Sequence, residues 1–141
     1  NQLSVMLREN LPAAMQGFAV VPIFAGYDQR SGTGRLFQFD VTGGRYEEGD
    51  FATAGSGSLH ASTVVKLRHR DDLDGDGVVD VAVEALFQAA DEDSATGGPD
   101  PLRGIYPVVA RITAEGFERL DESDVAERTD AFLAGLGDSY R

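Results

Sequence analysis

The segment Phe18 to Tyr27 constrains the fold more than any other. It is almost entirely apolar, and a short continuous run of that kind suits a strand covered on both faces. Pro22 cannot donate to a ladder, so a bulge or an edge position is expected there. A second such run, Gly104 to Thr113, carries Ile105, Val108, Val109, Ala110 and Ile112, mostly apolar on both faces. Strands of this type call for helices on both sides of a sheet.

The remaining elements fall around these two runs. Asn1 to Gly17 reads as a helix, with Leu3, Met6, Leu7, Leu11 and Ala14 on one face, and Pro12 predicts a kink or break. Arg35 to Val41 alternates, placing Phe37, Phe39 and Val41 together; Gly43-Gly44 makes a turn, and residues 45–48 and 51–54 continue the sheet. Ser58 is expected to cap a helix from near Leu59 to about Arg70, with Leu59, Thr63, Val64 and Leu67 inward. The next helix is expected from Val78 or Val79 to about Ala95, burying Val81, Ala82, Ala85, Leu86 and Ala89. Pro99 to Arg103 reads as a loop, Glu115-Gly116 turns the chain into a hairpin with Phe117 to Leu120, and Ser123 caps a last helix. That helix repeats Val125, Thr129, Phe132, Leu133 and Leu136 at helical spacing. The expectation is an α+β fold and a single domain over residues 1–141.

Composition narrows the function classes. The 141 residues and an apolar content of 42% suffice for one cored domain. Without cysteine there is no disulfide framework and no thiolate zinc site, which suits a reducing, cytoplasmic setting. The net charge of −12 includes only 12 Lys and Arg, with no basic stripe, which argues against nucleic-acid binding. No run reaches the ~18 apolar residues of a membrane span, and no signal peptide is visible. No cofactor and no metal are expected. The chain opens on Asn1 within a helical pattern, so a preceding N-terminal part is expected.

Three polar stretches are candidates for chemistry. Asp72-Leu73-Asp74-Gly75-Asp76-Gly77, with Asp80, has the oxygen spacing that opens a calcium loop, but Val83 stands where a bidentate Glu is needed and Glu84 comes one residue late. The competing reading is a solvated acidic turn. Gly55-Ser56-Gly57-Ser58 is either a linker whose serine helps cap a helix or a site hydroxyl. Asp91-Glu92-Asp93-Ser94-Ala95-Thr96-Gly97-Gly98 puts three acids at a helix end, where the dipole disfavours them and cations are wanted from elsewhere. It is either a solvated helix terminus, closed at Gly97, or a functional polar corner. His60 and His69, the two histidines, read as packing and surface, which argues against a Ser-His-Asp triad.

Taken together, Ala14-Met15-Gln16-Gly17, Ala25-Gly26-Tyr27-Asp28, Gly55-Ser56-Gly57-Ser58, the helix ending Ala89 to Gly98, and Arg103-Gly104-Ile105-Tyr106-Pro107 resemble a β-type subunit of the 20S proteasome. Asp-Ser-Ala-Thr-Gly-Gly-Pro-Asp resembles the actinobacterial branch. The resemblance runs through nearly the whole chain and covers a C-terminal portion of the family. It implies an N-terminal-nucleophile hydrolase fold, a four-layer αββα sandwich, here incomplete at the N-terminus. It implies threonine-type peptide hydrolysis, with the nucleophile and its lysine absent from this chain.

By resemblance, Asp93 matches the aspartate that orients the threonine amine, and Ser56 matches the serine near that amine and a catalytic water. Thr96 stands where many relatives have serine, so a hydroxyl is kept. The resemblance further implies a seven-membered ring of β subunits, proteasome α subunits, an ATP-dependent unfoldase and polypeptide substrates. A non-catalytic structural β-type subunit is the alternative, and the N-terminal residue of the intact protein separates the two. A calcium-binding module at Asp72–Asp80 is the third reading.

Overall fold

A computed structural model describes residues 2–139 and shows an α+β chain. Its contacts gather into two compact units: residues up to Gly55 with Ile112–Gly116, and Ser56–Arg111 with the residues from Phe117 onward.

The first unit begins with helices α1 (Gln2–Glu9) and α2 (Leu11–Ala14). The break at Asn10 agrees with the expectation from Pro12, which stands in the first turn of α2, where a missing N–H costs nothing. Strands β1 (Ile23–Asp28), β2 (Thr33–Phe39) and β3 (Arg45–Glu48) form an antiparallel sheet in that order, with Phe24 opposite Phe37. The strand expected from Phe18 is corrected: the ladder starts only after Pro22, whose carbonyl still accepts from Phe39 N–H at 3.2 Å. Nor is the run covered on both faces, since Phe18 is 73% and Phe24 56% exposed.

Residues 51–54 form no strand, a second correction. β2 stops short of Val41 because Asp40 opens a turn. Its Oδ1 accepts from Thr42 N–H (2.9 Å), Thr42 hydroxyl (2.7 Å) and Gly44 N–H (2.9 Å), and its Oδ2 from Tyr46 hydroxyl (2.9 Å). These donors, the Thr42 hydroxyl first, hold the carboxyl down to about 2.

The second unit holds α3 (Ser58–Arg68), α4 (Gly75–Glu92), a 3-10 turn (Pro101–Arg103) and α5 (Glu122–Ser139). Ala61 of α3 packs against Ala85 and Ala89 of α4, with Val64 and Val65 beside them. Small residues at this seam let the helices approach closely. The expected inward face of α3 is therefore corrected: Leu59 and Leu67 are 73% and 79% exposed, and Ala61 is the buried residue. On α4 the buried residues are Val79, Val83, Ala85 and Ala89, while Leu86 is 43% exposed.

α4 also packs on α5. Phe87 meets Phe132 edge-on, with ring centroids 5.3 Å apart. Val83, Val125 and Thr129 are fully enclosed, and the Thr129 hydroxyl donates to Val125 O at 2.7 Å. Val125 and Thr129 occupy the inner positions that the helical spacing predicts.

Three expected helix boundaries move. α4 starts at Gly75 because Asp74 caps it, accepting from Gly77 N–H at 2.8 Å. Gly57, not Ser58, holds the cap position of α3. Ser123 lies inside α5, where Asp121 O accepts from the N–H groups of Asp124 and Val125. Strands β4 (Ala110–Thr113) and β5 (Gly116–Arg119) form a separate two-stranded sheet, much shorter than the expected run from Gly104.

Candidate functional site

α4 ends at Glu92, five residues before Gly97 and three before the expected Ala95. Asp93 takes the C-cap position with extended backbone (φ −120°, ψ 108°), and its N–H donates to Ala89 O at 3.0 Å. The chain then folds back over this residue. Thr96 N–H donates to Asp93 O at 2.9 Å, and Ala95 N–H donates to Asp93 Oδ1 at 3.2 Å. An aspartate that accepts from the N–H two residues on makes an Asx turn, so local sequence alone aims this carboxylate.

The second oxygen receives the Thr96 hydroxyl at 2.6 Å. Such a short contact is what a hydroxyl makes to a charged acceptor. Ser56 arrives from the chain segment just before α3, and its Oγ lies 3.5 Å from Thr96 Oγ1, across 40 residues of sequence. Thr96 gives its proton to Asp93, and the Ser56 hydroxyl stands beside this pair. The Ser56 hydroxyl, then the Thr96 hydroxyl and the Ala95 N–H, hold the Asp93 carboxyl below the usual carboxylate range.

The three residues singled out in the sequence, Ser56, Asp93 and Thr96, thus meet in one cluster. The cations that the resemblance implies for this helix end are an ammonium and a lysine absent from this chain. Hydroxyls and a backbone N–H satisfy Asp93, and within this unit no lysine or arginine pairs with it among the described residues. Asp91 and Glu92 face solvent. The result is a half-buried carboxylate favoured in its charged form, with its acceptor sites partly filled. Such an arrangement can hold and orient an ammonium. Sequence reasoning missed the Ala95 N–H; the signal available was an Asx turn at Asp93-Ser94-Ala95.

The acidic stretch Asp72–Asp80 does something else. Asp74 is a helix cap, and Asp76 and Asp80 are wound into α4. Arg111 and Arg128 both grip Asp76, the latter at 2.9 Å, and Arg128 also reaches Asp80 at 2.7 Å. The reading as a solvated turn is corrected on this point: six of its nine residues are helix, and three of its acids, Asp72 (with Arg70), Asp76 and Asp80, are paired. No group of three or more His, Asp or Glu side chains arranged to hold a metal ion occurs among the described residues. No helix among them is long and apolar enough to cross a membrane.

A family model described as "Proteasome subunit" matches residues 2–100. The proteasome subunit beta of Acidimicrobium ferrooxidans is 54% identical over 127 residues, which is 90% of this chain and 46% of that protein. That of Streptomyces griseus is 53% identical over 127 residues, covering 90% and 45%. That of Acidothermus cellulolyticus is 53% identical over 140 residues, covering 95% and 48%. The chain spans about half the length of the curated relatives it matches. The matched span contains α1 to α4 and, with them, the whole Ser56–Asp93–Thr96 cluster: the chain belongs to the proteasome subunit family.

Proposed function

We propose that this chain is the C-terminal part of a β-type proteasome subunit that cleaves peptide bonds of unfolded polypeptides by threonine-type hydrolysis. The attacking threonine and its lysine come from outside residues 1–141, and Asp93, Ser56 and Thr96 support them. The observation that carries this reading is the convergence of two hydroxyls and a backbone N–H on one carboxylate that pairs with no lysine or arginine among the described residues. A free amine at a mature threonine would complete it.

In the reaction, that amine takes the threonine hydroxyl proton while the hydroxyl oxygen attacks the scissile carbonyl. The negative charge of Asp93 holds the amine in place and raises its proton affinity. Thr96 and Ser56 keep the carboxylate ionised and fix its direction. The complete fold is the four-layer αββα sandwich, of which this chain carries only part. The working assembly is a cytoplasmic seven-membered β ring, capped by α subunits and fed by an ATP-dependent unfoldase. The 141-residue chain by itself should turn over no peptide.

The test is Asp93→Asn in the full-length, assembled protein, with fluorogenic peptide turnover and particle size measured on one preparation. The substitution keeps shape and removes charge. A positioned acid–base group contributes roughly 10²–10⁴-fold, and a supporting residue should lie near the lower end. Unchanged turnover would return Asp93 to a solvated helix end. Lost turnover together with lost assembly would make it structural.

A further inference from the structure

Gly55 and Gly57 flank Ser56, and the two are glycine for different reasons. Gly55 has φ 107°, a backbone region that side chains disfavour. Gly57 has φ −81° and ψ 6°, which any residue adopts. What Gly57 lacks is room. It is buried, and a Cβ there would lie 2.8 Å from Thr96 Oγ1, 3.0 Å from Ala89 Cβ and 3.3 Å from Ala89 O.

We infer that Gly57 is a positioning residue: the space left by its missing side chain is where Thr96 keeps its hydroxyl, within reach of both Asp93 and Ser56. This rests on the proposed function of that cluster. Of the neighbours, Ala89 need give only a few tenths of an ångström at 3.0 Å, whereas Thr96 Oγ1 at 2.8 Å must move. Ala89 is 3% exposed, lies in α4 and packs against Ala61 and Ala85, so it gives little more than that. The start of α3 is held in place, because Gly57 O accepts from the N–H groups of both His60 and Ala61 at 3.1 Å. Thr96 stands in the turn beyond the helix, so a methyl at position 57 displaces its side chain. The 2.6 Å bond to Asp93 then breaks, and the 3.5 Å approach to Ser56 opens.

The test is a double-mutant cycle in the full-length assembled protein: Gly57→Ala, Thr96→Ala and the pair, with Asp93→Asn alongside. Misplacing a supporting group by about 1 Å costs up to roughly a hundredfold, so Gly57→Ala should lower kcat about ten- to a hundredfold. KM should stay within about twofold, because ground-state binding is untouched. The pair should match Thr96→Ala alone within about twofold, since the hydroxyl that the methyl displaces is already gone.

Additive losses, or a fully active Gly57→Ala beside an inactive Asp93→Asn, would overturn the inference and leave the function standing. A fully active Asp93→Asn would overturn both. If Gly57→Ala alone fails to assemble, the pair should assemble, because removing Oγ1 removes the nearest obstruction. Failure of the pair as well would place the obstruction at Ala89 and refute the role.

Discussion

Two truncations on α4 separate the face the structure buries from the face the helical spacing favours. Val83 is 2% exposed, and Leu86 is 43% exposed. Val83→Ala removes two methyl groups worth about 0.8 kcal/mol each and leaves a cavity of about 50 Å³, which adds roughly 1 kcal/mol. The higher helix propensity of alanine returns about 0.5 kcal/mol, so the net cost is about 2 kcal/mol. Leu86→Ala removes more carbon, but roughly half of that surface is already wet and no closed cavity forms, so about 1 kcal/mol is expected.

Native-state hydrogen exchange of the full-length protein, followed in peptides from α4, reads both. Opening there should rise about thirtyfold for Val83→Ala and about fivefold for Leu86→Ala. The consequence reaches the site, because α4 carries Asp93 at its C-terminal cap. If Leu86→Ala loosens α4 as much as Val83→Ala, the assigned buried face is wrong.

Gly43 has φ 84°, and a Cβ there would run into the Ser4 carbonyl and the Arg8 side chain. Gly43→Ala should therefore destabilise the turn and α1 by about 2 kcal/mol or more, read as faster exchange in residues 36–48; an unchanged rate would contradict it. Asp40 has a folded pKa depressed to about 2, so the stability it contributes is complete above its ordinary value and lost as pH falls through 2. Protection of the same peptides, corrected for intrinsic exchange, should be flat from pH 7 to about 4 and decline below that, and Asp40→Asn should abolish that dependence. Calcium should bind Asp72–Asp80 only weakly, since Asp74 caps α4 while Asp76 and Asp80 are held by arginines. A micromolar calorimetric site lost in Asp74→Ala would refute this.

Much of the helix order was legible in the sequence, because periodicity reports which residues share a face. The inner positions of α5, Val125 and Thr129, are where the spacing puts them. α3 was misread because its buried contact is Ala61, a residue that hydropathy barely distinguishes, while Leu59 and Leu67 point outward. The run at Phe18 was misread because apolar character fixes neither pairing nor burial: the ladder begins only after Pro22, and Phe18 and Phe24 stand exposed. Asp74 was weighed as a ligand although a single hydrogen bond to Gly77 makes it a cap.

The candidate site was legible only in part. The residues beside Asp93 suggest an acid-rich helix end, and nothing local says that Ser56, 40 residues before Thr96, closes over it. The family resemblance picked out the three residues. The structure adds that Asp93 is answered by hydroxyls, and that Gly57 leaves room for one of them.

The central claim is that Ser56, Asp93 and Thr96 support a nucleophile and are not themselves attacked. It is tested most directly by treating the full-length assembled protein with an electrophilic peptide inhibitor and mapping the adduct by mass spectrometry. The account predicts one adduct per active subunit, on a threonine outside residues 1–141, formed more slowly in Asp93→Asn. An adduct on Ser56, on Thr96 or on any other residue of this chain would contradict it.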